Sequence, residues 1–312
     1  MPSILVVGAG AIGAFFGSAL ARQGGKVSVV CRTDHAVVKR DGYGIRSPLL
    51  GDHRFRPEQV LKNADECGSP PDYVILATKV LPQTDRAALL RGAVGNHTVI
   101  VLIQNGIDIE TDVANAFPHN ELLSGIAFIA VARTGPGEID HQSAGSLTLG
   151  RYPEGITSSA RSLAALFEAS KVPCRLTEDV VTARWQKALW NATFNPISMM
   201  GGVLDTSMML RTAEDRAFVR KAMHEIADIA AAAGHPLDLQ IIEMLIEATR
   251  AMPAYKTSMA LDFEHGRPME IEAILGNVVR TARDCKAAAP TLEAVYAIAK
   301  MVENKKGIAD GG

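Results

Sequence analysis

The first half of the chain alternates short, continuously apolar runs with longer stretches of helical period. The runs that predict strands are Ile4–Val7, Val27–Val30, Tyr73–Ala77, Val99–Ile103 and Leu122–Ala132. Runs of this length, rich in β-branched residues and bounded by turn residues, are typical of buried parallel strands. The helix-length segments Ala11–Gln23 and Gln83–Arg91 lie between them. Strands that alternate with helices predict an α/β fold with a doubly wound parallel sheet.

The second half of the chain has a different character. Its stretches of helical period, rich in Ala, Leu, Ile and Met, are Thr182–Ser198, Ala213–Ala233, Leu237–Ala251 and Glu270–Ala289. One of them ends at Gly234-His235-Pro236, a C-terminal glycine followed by a proline that stops the helix. We predict an α/β domain over residues 1–173, an all-α domain over residues 174–305 and a frayed tail over residues 306–312.

Composition excludes several classes of protein. The chain has 312 residues, 47% of them hydrophobic, with 32 Lys and Arg against 34 Asp and Glu. This length suits two domains. A nearly balanced charge provides no general attraction to nucleic acid or to an anionic membrane surface, both of which need a strongly basic face. No apolar run reaches the roughly 18 residues of a membrane-spanning helix.

The cellular compartment is predicted from the N-terminus and the cysteines. The chain enters Ile4–Val7 without a basic region before it, so we expect no secretory signal. Its four cysteines form no C-x-x-C pair, and its eight histidines show no metal-ligand spacing. We therefore expect a cytoplasmic protein with reduced thiols and no metal site. The apolar helices of the second half fit either a monomer or a homodimer.

A G-x-G-x-x-G motif, Gly8-Ala9-Gly10-Ala11-Ile12-Gly13, follows the first predicted strand and opens a helix. In such turns the first glycine makes the tight turn, the second lets the backbone approach a pyrophosphate, and the third lets the helix pack closely on its strand. The helix N-terminus offers free N–H groups to the anion. Because strand, turn, helix and second strand follow in order, the motif predicts dinucleotide binding. A purely structural glycine turn is the alternative.

The end of the second predicted strand indicates which dinucleotide binds. An NAD site usually has an Asp or Glu there to hold the ribose 2′-hydroxyl, whereas this chain has Arg32. A guanidinium at this place suits the 2′-phosphate of NADPH. We expect NADPH rather than NADH. Asp34 is a rival ribose ligand, and a merely solvated charge is the plain alternative for Arg32.

A polar stripe lies in the helical half of the chain. Lys187, Asn191 and Asn195 recur at i, i+4 and i+8, which places them on one face of a helix with apolar neighbours. A lysine in a partly apolar cleft has its pKa lowered by desolvation, which suits proton donation near neutral pH. We expect Pro196 to bend or end this helix. The alternative is an amphipathic helix whose polar face is solvated.

With these motifs in place, the whole chain resembles the ketopantoate reductase (2-dehydropantoate 2-reductase) family. The resemblance rests on five stretches in the expected order: Gly8–Gly13, Ala77–Lys79, Ile103–Gly106, Lys187–Pro196 and Ser258–Glu270. It implies NADPH-dependent reduction of 2-dehydropantoate to pantoate in pantothenate and coenzyme A biosynthesis. In such enzymes NADPH delivers a hydride to the 2-keto carbon while a lysine protonates the oxygen.

The resemblance also implies a role for each matched residue. Lys187 is the expected proton donor. The residues expected to hydrogen-bond the substrate are Asn191, Asn195 and Ser258. The residues expected to contact the cofactor beyond the glycine motif are Arg32, Lys79, Asn105 and Glu270, of which Asn105 also faces the substrate. The residues of the last stretch, taken without the resemblance, favour a structural role, with Ser258 as the cap of a helix.

One position departs from the family pattern. Asp205 stands where the family commonly has another substrate-binding asparagine. An ionised aspartate would repel an anionic 2-keto acid unless it is protonated or turned away. The exact substrate therefore stays open. The alternatives are a reductase of another branched 2-keto acid, a β-hydroxy-acid dehydrogenase, and a non-catalytic NADPH-binding sensor, which has no need of the polar stripe.

Overall fold

The computed structural model describes the backbone of residues 1–310 and the side chains of residues 1–305. Its strands are β1 (Ser3–Val7), β2 (Lys26–Val30), β3 (Tyr43–Arg46), β4 (His53–Phe55), β5 (Val60–Leu61), β6 (Tyr73–Leu76), β7 (Val99–Leu102), β8 (Leu122–Gly135), β9 (Glu138–Arg151) and β10 (Cys174–Leu176). Its α-helices are α1 (Ala11–Ala21), α2 (His35–Asp41), α3 (Thr111–Ala116), α4 (Ser158–Ala169), α5 (Val180–Met200), α6 (Thr206–Met209), α7 (Ala213–Ala232), α8 (Gln240–Ala251), α9 (Ser258–Glu264), α10 (Asn277–Asp284) and α11 (Pro290–Asp310). Of the predicted tail, residues 306–310 belong to α11, and residues 311 and 312 lie outside the described residues.

The chain divides into two units. One comprises Met1–Gln104 with Ile109–Val180, and the other comprises Asn105–Asp108 with the chain from Val181 onward. The division follows Val180 rather than residue 173, because β10 pairs in parallel with β9 and so belongs to the sheet of the first unit. No pattern in the sequence predicts that Asn105–Asp108 belongs to the second unit.

The first unit is built on one sheet with the strand order β4-β3-β9-β8-β7-β6-β1-β2-β5, and β10 pairs with β9. Strand β1 pairs in parallel with β2 on one side and with β6 on the other. The carboxyl ends of these three strands therefore lie side by side at the switch point of a doubly wound sheet, where such folds bind ligands. The sheet is mixed, since β8 with β9 and β3 with β4 are antiparallel.

The five predicted strands of the first unit are confirmed. Every residue of β6 and of β7 is buried, as expected for central strands covered on both faces. The helix predicted at Gln83–Arg91 is wrong, because this segment forms turns. There the carboxylate of Asp85 accepts the Ala88 N–H at 2.9 Å, and the buried guanidinium of Arg86 donates to the carbonyl of Ile109. Side-chain bonds of this kind compete with a regular helix.

The second unit is helical, as predicted. Helix α5 continues through Pro196 to Met200, so of the expected bend or end at Pro196 the end is wrong. Burial of its flanking residues Phe194 and Met199 in the core outweighs the lost backbone hydrogen bond. The helix predicted at Glu270–Ala289 is present but shorter, and it contains a π turn, Glu272–Gly276, that continues into α10. Among the residues that the structure describes, no helix is both long and apolar enough to cross a membrane.

Candidate active site

Two glycines of the G-x-G-x-x-G turn are required by the fold itself. Gly8 has a φ of +87°, and a Cβ there would lie 2.8 Å from the backbone nitrogen of Thr78. A Cβ on Gly13 would lie 2.6 Å from the carbonyl oxygen of Gly8 and 2.9 Å from Val6. All three distances are shorter than 3.0 Å, which real Cβ contacts essentially never show, so a side chain at either position would displace the turn from its strand.

Gly10 has no such requirement within the protein. Its φ is −76°, which any residue adopts, and apart from its chain neighbours no atom of the described residues lies within 4 Å of the place where its Cβ would be. It precedes α1, whose first turn has no side-chain cap and no acidic residue. An open, uncapped helix N-terminus beside a glycine fits the close approach of a pyrophosphate. The other motif residues, all buried or partly buried, are Ala9, Ala11 and Ile12.

Arg32 and Lys79 follow the two strands that flank β1. Arg32 is exposed just beyond β2, and Lys79 is partly buried just beyond β6. The turn contacts both neighbouring strand ends, since the Gly8 N–H donates to the Val30 carbonyl at 3.2 Å and Gly8 packs on Thr78. The fold therefore brings the glycine turn and these two cations to one edge of the sheet.

Asp34, the rival ribose ligand, already has partners. Its side chain is buried, with 7% of the residue exposed. Oδ1 accepts from the Arg133 guanidinium at 2.6 Å, and Oδ2 accepts from the Gly137 N–H at 3.0 Å. Both oxygens tie the end of β2 to the β8–β9 hairpin, so this carboxylate has a structural role.

The polar stripe of α5 is not a solvated face. Lys187 and Asn191 are partly buried, and Asn195 is only 1% exposed. On the adjoining face the rings of Trp190 and Phe194 stack with centroids 4.9 Å apart. Within the described part of the chain, Oδ1 of Asn195 has no hydrogen-bond partner. An unpartnered buried amide oxygen is costly, so this atom is an open acceptor for a ligand hydroxyl or a water molecule.

Lys187 and Asn105 form the centre of the site in the second unit. The Lys187 ammonium donates to Oδ1 of Asn105 at 2.6 Å. Some surface of the lysine remains accessible, but protein atoms crowd its ammonium and the resulting desolvation is the largest cause of a pKa lowered to about 7. The nearby Arg184 charge lowers the pKa further, and Glu270 opposes the change. An acid of this strength exchanges protons readily near neutral pH.

Ser258 begins α9 and Glu270 follows that helix by six residues, both in the second unit. Ser258 is the exposed first residue of α9, and the cap of that helix is Thr257, whose Oγ1 accepts from the Ala260 N–H at 3.3 Å. The expectation that Ser258 is the cap is therefore wrong, which leaves its hydroxyl outside the capping interaction. Glu270 is partly buried just before the π turn, close enough for its charge to act on Lys187.

Asp205 is turned into its own helix. Its Oδ1 accepts from the Ser207 hydroxyl at 2.6 Å and from the Met208 N–H at 2.9 Å, so it caps α6. These bonds hold the pKa of the Asp205 carboxyl below its usual value. Asp205 is therefore an ionised carboxylate whose Oδ1 is bonded within its own helix.

Sequence reasoning missed two residues that contact the segment carrying Asn105. Arg184 donates to the carbonyl of Gly106 at 3.1 Å, and the side-chain amide of Asn277 donates to the carbonyl of Ile107 at 2.6 Å. For Arg184 a signal existed, since it precedes Lys187 by one helical turn on the same face. Asn277 carries no such local signal.

Comparison with known proteins identifies the same two halves. The family model described as ketopantoate reductase PanE/ApbA matches residues 4–154, and its C-terminal model matches residues 179–303. The crystal structure of 2-dehydropantoate 2-reductase from Methylococcus capsulatus is similar over 97% of both chains, with 52% identity and a TM-score of 0.92. The corresponding structure from Geobacter metallireducens GS-15 has 31% identity and a TM-score of 0.90, covering 96% of this chain and 99% of that one. A 2-dehydropantoate 2-reductase of Nostoc sp. is 28% identical, covering 96% of this chain and 95% of that one.

Proposed function

Because the chain belongs to the ketopantoate reductase PanE/ApbA family, we propose that it reduces 2-dehydropantoate to pantoate with NADPH, in the biosynthesis of pantothenate and coenzyme A. It is an oxidoreductase that acts on a CH–OH group. The observation that carries the proposal is the Lys187 ammonium, held 2.6 Å from Asn105 and with a pKa of about 7.

NADPH, when bound, supplies the hydride for the 2-keto carbon. Lys187 in its ammonium form donates a hydrogen bond to the ketone oxygen, which polarises the carbonyl. As negative charge develops on that oxygen, the same ammonium transfers its proton and becomes a neutral amine. Asn105 holds the ammonium in place before the reaction, so the entropic cost of orienting it in the transition state is small.

The polar groups around Lys187 fit a substrate with a hydroxyl and a carboxylate. The open Oδ1 of Asn195 accepts the substrate hydroxyl, and the amide of Asn191 and the hydroxyl of Ser258 donate to the substrate. Asp205 caps α6, and this separate structural role supports a substrate carboxylate bound by the other polar groups.

The choice of NADPH is supported by the charges at the switch point. Arg32 is exposed beyond β2 and Lys79 follows β6, so two cations lie at the edge of the sheet where the adenosine 2′-phosphate would bind. Asp34, the acid that would select NAD, is already bonded to Arg133 and Gly137. The space above Gly10 accommodates the pyrophosphate.

The experiment is a steady-state assay of NADPH oxidation with a panel of 2-keto acids, with NADH as the control cofactor. We expect 2-dehydropantoate to be the best substrate and NADPH the preferred cofactor. Faster turnover of another branched 2-keto acid would assign the chemistry to that substrate. No turnover of any 2-keto acid by a protein that binds NADPH tightly would contradict the proposed enzyme and favour a sensor.

A further inference from the structure

The π turn provides an unusual acceptor for the segment that carries Asn105. Its backbone directs the Asn277 N–H to the carbonyl of Glu272, one residue further back than in an α-helix. The carbonyl of Ala273 accepts instead from the Ile107 N–H at 2.9 Å. Single π turns inserted in helices are rare and frequently lie at functional sites. Here the wide turn binds a segment that belongs to a distant part of the sequence.

The side chain of Asn277 makes a second hydrogen bond to the same segment. Its Nδ2 donates to the Ile107 carbonyl at 2.6 Å, while Oδ1 accepts from the Arg280 guanidinium at 3.1 Å and 2.5 Å. Arg280 thereby orients the amide so that its donor end faces Ile107. Both backbone polar groups of Ile107 are bonded, and the residue is only 4% exposed. The backbone two residues after Asn105 is thus fixed at two points.

Arg184 holds the same segment from the side of α5. It is 4% exposed, and its guanidinium donates to the carbonyl of Gly106, the residue directly after Asn105. It also lies one helical turn before Lys187, close enough for its positive charge to act on that ammonium. The buried Arg184 guanidinium therefore contacts the segment that carries Asn105, and its charge also acts on Lys187, the hydrogen-bond partner of Asn105.

We propose that Arg184 and Asn277 are positioning residues of the reaction, which hold the backbone after Asn105 so that its amide oxygen meets the Lys187 ammonium. The inference rests on the proposed role of Lys187 as proton donor. Asn105 reaches Lys187 through a short side chain, so the 2.6 Å contact depends on where its backbone lies. Displacement of a catalytic group by about 1 Å costs up to about a hundredfold in rate.

The first test is Asn277→Asp. This variant keeps the side-chain volume and the acceptor for Arg280, but it places an acceptor instead of a donor against the Ile107 carbonyl. We expect kcat to fall by about ten- to a hundredfold while the Kd for NADPH stays within about twofold. If Asn277→Asp does not fold, Asn277→Ala removes the donor without adding a charge and is expected to act in the same direction.

The matched control is Asn120→Asp in the first unit. The amide of Asn120 also donates to backbone carbonyls, those of Gly95 at 2.8 Å and Thr98 at 2.9 Å, but neither carbonyl belongs to the Asn105–Asp108 segment. We expect this control to retain the kcat of the unmodified protein. An equal loss of kcat in the Asn120 and Asn277 variants, or no loss in the Asn277 variant, would overturn the inference.

The second test is the pH profile of Arg184→Met against Arg184→Lys. Loss of the positive charge in the Met variant should move the fall of kcat/KM for reduction to higher pH, and the Lys variant should largely restore the original profile. The control is Arg216→Met, since Arg216 also donates to a backbone carbonyl, at 3.0 Å, in the same unit. A rate loss without any movement of the profile would overturn the part assigned to Arg184.

Two further measurements separate this inference from the proposed function, because neither needs turnover. Hydrogen exchange at the Ile107 amide should become faster in Asn277→Asp, and NMR titration of the Lys187 ammonium should move upward in Arg184→Met. If the unmodified protein reduces no 2-keto acid, the proposed function fails while these two results still support the positioning roles. If both signals stay unchanged in the variants, the positioning roles fail whatever the activity.

Discussion

At Lys187, burial and charge lower the pKa of one ammonium together. Loss of hydration favours the neutral amine, the Arg184 guanidinium adds repulsion, and Glu270 only partly opposes them, so the pKa falls from 10.5 to about 7. At a pH between these two pKa values, Lys187 is protonated in the unfolded chain and neutral in the folded one. Folding stability therefore rises with pH across this window, and the protonated lysine is a local cost that the fold carries at lower pH.

This pKa predicts opposite pH dependences for the two directions of the reaction. Reduction needs the ammonium, so its kcat/KM should be highest below about pH 7 and fall above it, where the free enzyme loses the proton. Oxidation of the product needs the neutral amine and should rise over the same range. Initial rates in both directions, measured from about pH 5 to about pH 9, test this. A reduction profile that stays flat across the whole range would rule out Lys187 as the acid.

Arg32 is the residue on which cofactor preference is expected to depend. Arg32→Ala should weaken NADPH binding by about tenfold or more, the equivalent of lost hydrogen bonds to a charged group, and should change NADH binding little. Lys26→Ala is the matched control, because Lys26 is an equally exposed cation at the opposite end of β2. Titrations of both cofactors with both variants measure the effect. Equal weakening of NADPH and NADH by Arg32→Ala would contradict the 2′-phosphate role.

At the scale of elements, the glycine turn contains positions that the fold requires and one, Gly10, that it leaves open. Gly8 must keep a positive φ and contacts Thr78, whereas Gly10 has an ordinary φ and open space above it. Gly8→Ala should lower the free energy of unfolding by roughly 1–2 kcal/mol or more from backbone conformation alone. Gly10→Ala should fold with nearly unchanged stability and bind NADPH more weakly. Thermal unfolding and NADPH titration of the two variants test these predictions. Normal NADPH binding by Gly10→Ala would contradict the assignment of pyrophosphate binding to this turn.

The same two elements show what the sequence predicts well. The glycine turn and the α5 stripe are local patterns, and spacing alone brings Lys187, Asn191 and Asn195 to one face. The sequence places the cap of α9 one residue late, because Thr257 and Ser258 are adjacent and both are residues that commonly cap helices. Strand β9 is missed because its own pattern is largely polar, although it forms a hairpin with β8, its neighbour in sequence, and pairs with the more distant β3.

At the scale of the whole molecule, the chain has two units with separate chemistry. The glycine turn, Arg32 and Lys79 belong to the first unit, and Lys187 with its stripe belongs to the second. Asn105 joins the second unit because the residues after it bond to Arg184, Ala273 and Asn277, which are remote in sequence. Long-range contacts of this kind leave no periodic trace, which is why the family resemblance points to Asn105 but the sequence does not predict what positions it.

The most direct measurement compares 2-dehydropantoate reduction by the unmodified protein and by Lys187→Met, with NADPH binding measured on both. Methionine has nearly the length of lysine and no proton to donate, and Lys221→Met on an exposed position of α7 is the matched control. We predict that Lys187→Met lowers kcat by about 10²–10⁴-fold, as expected for a lost general acid, with an unchanged Kd for NADPH and a control at full activity. Retention of kcat by Lys187→Met would contradict the central claim that this lysine is the proton donor.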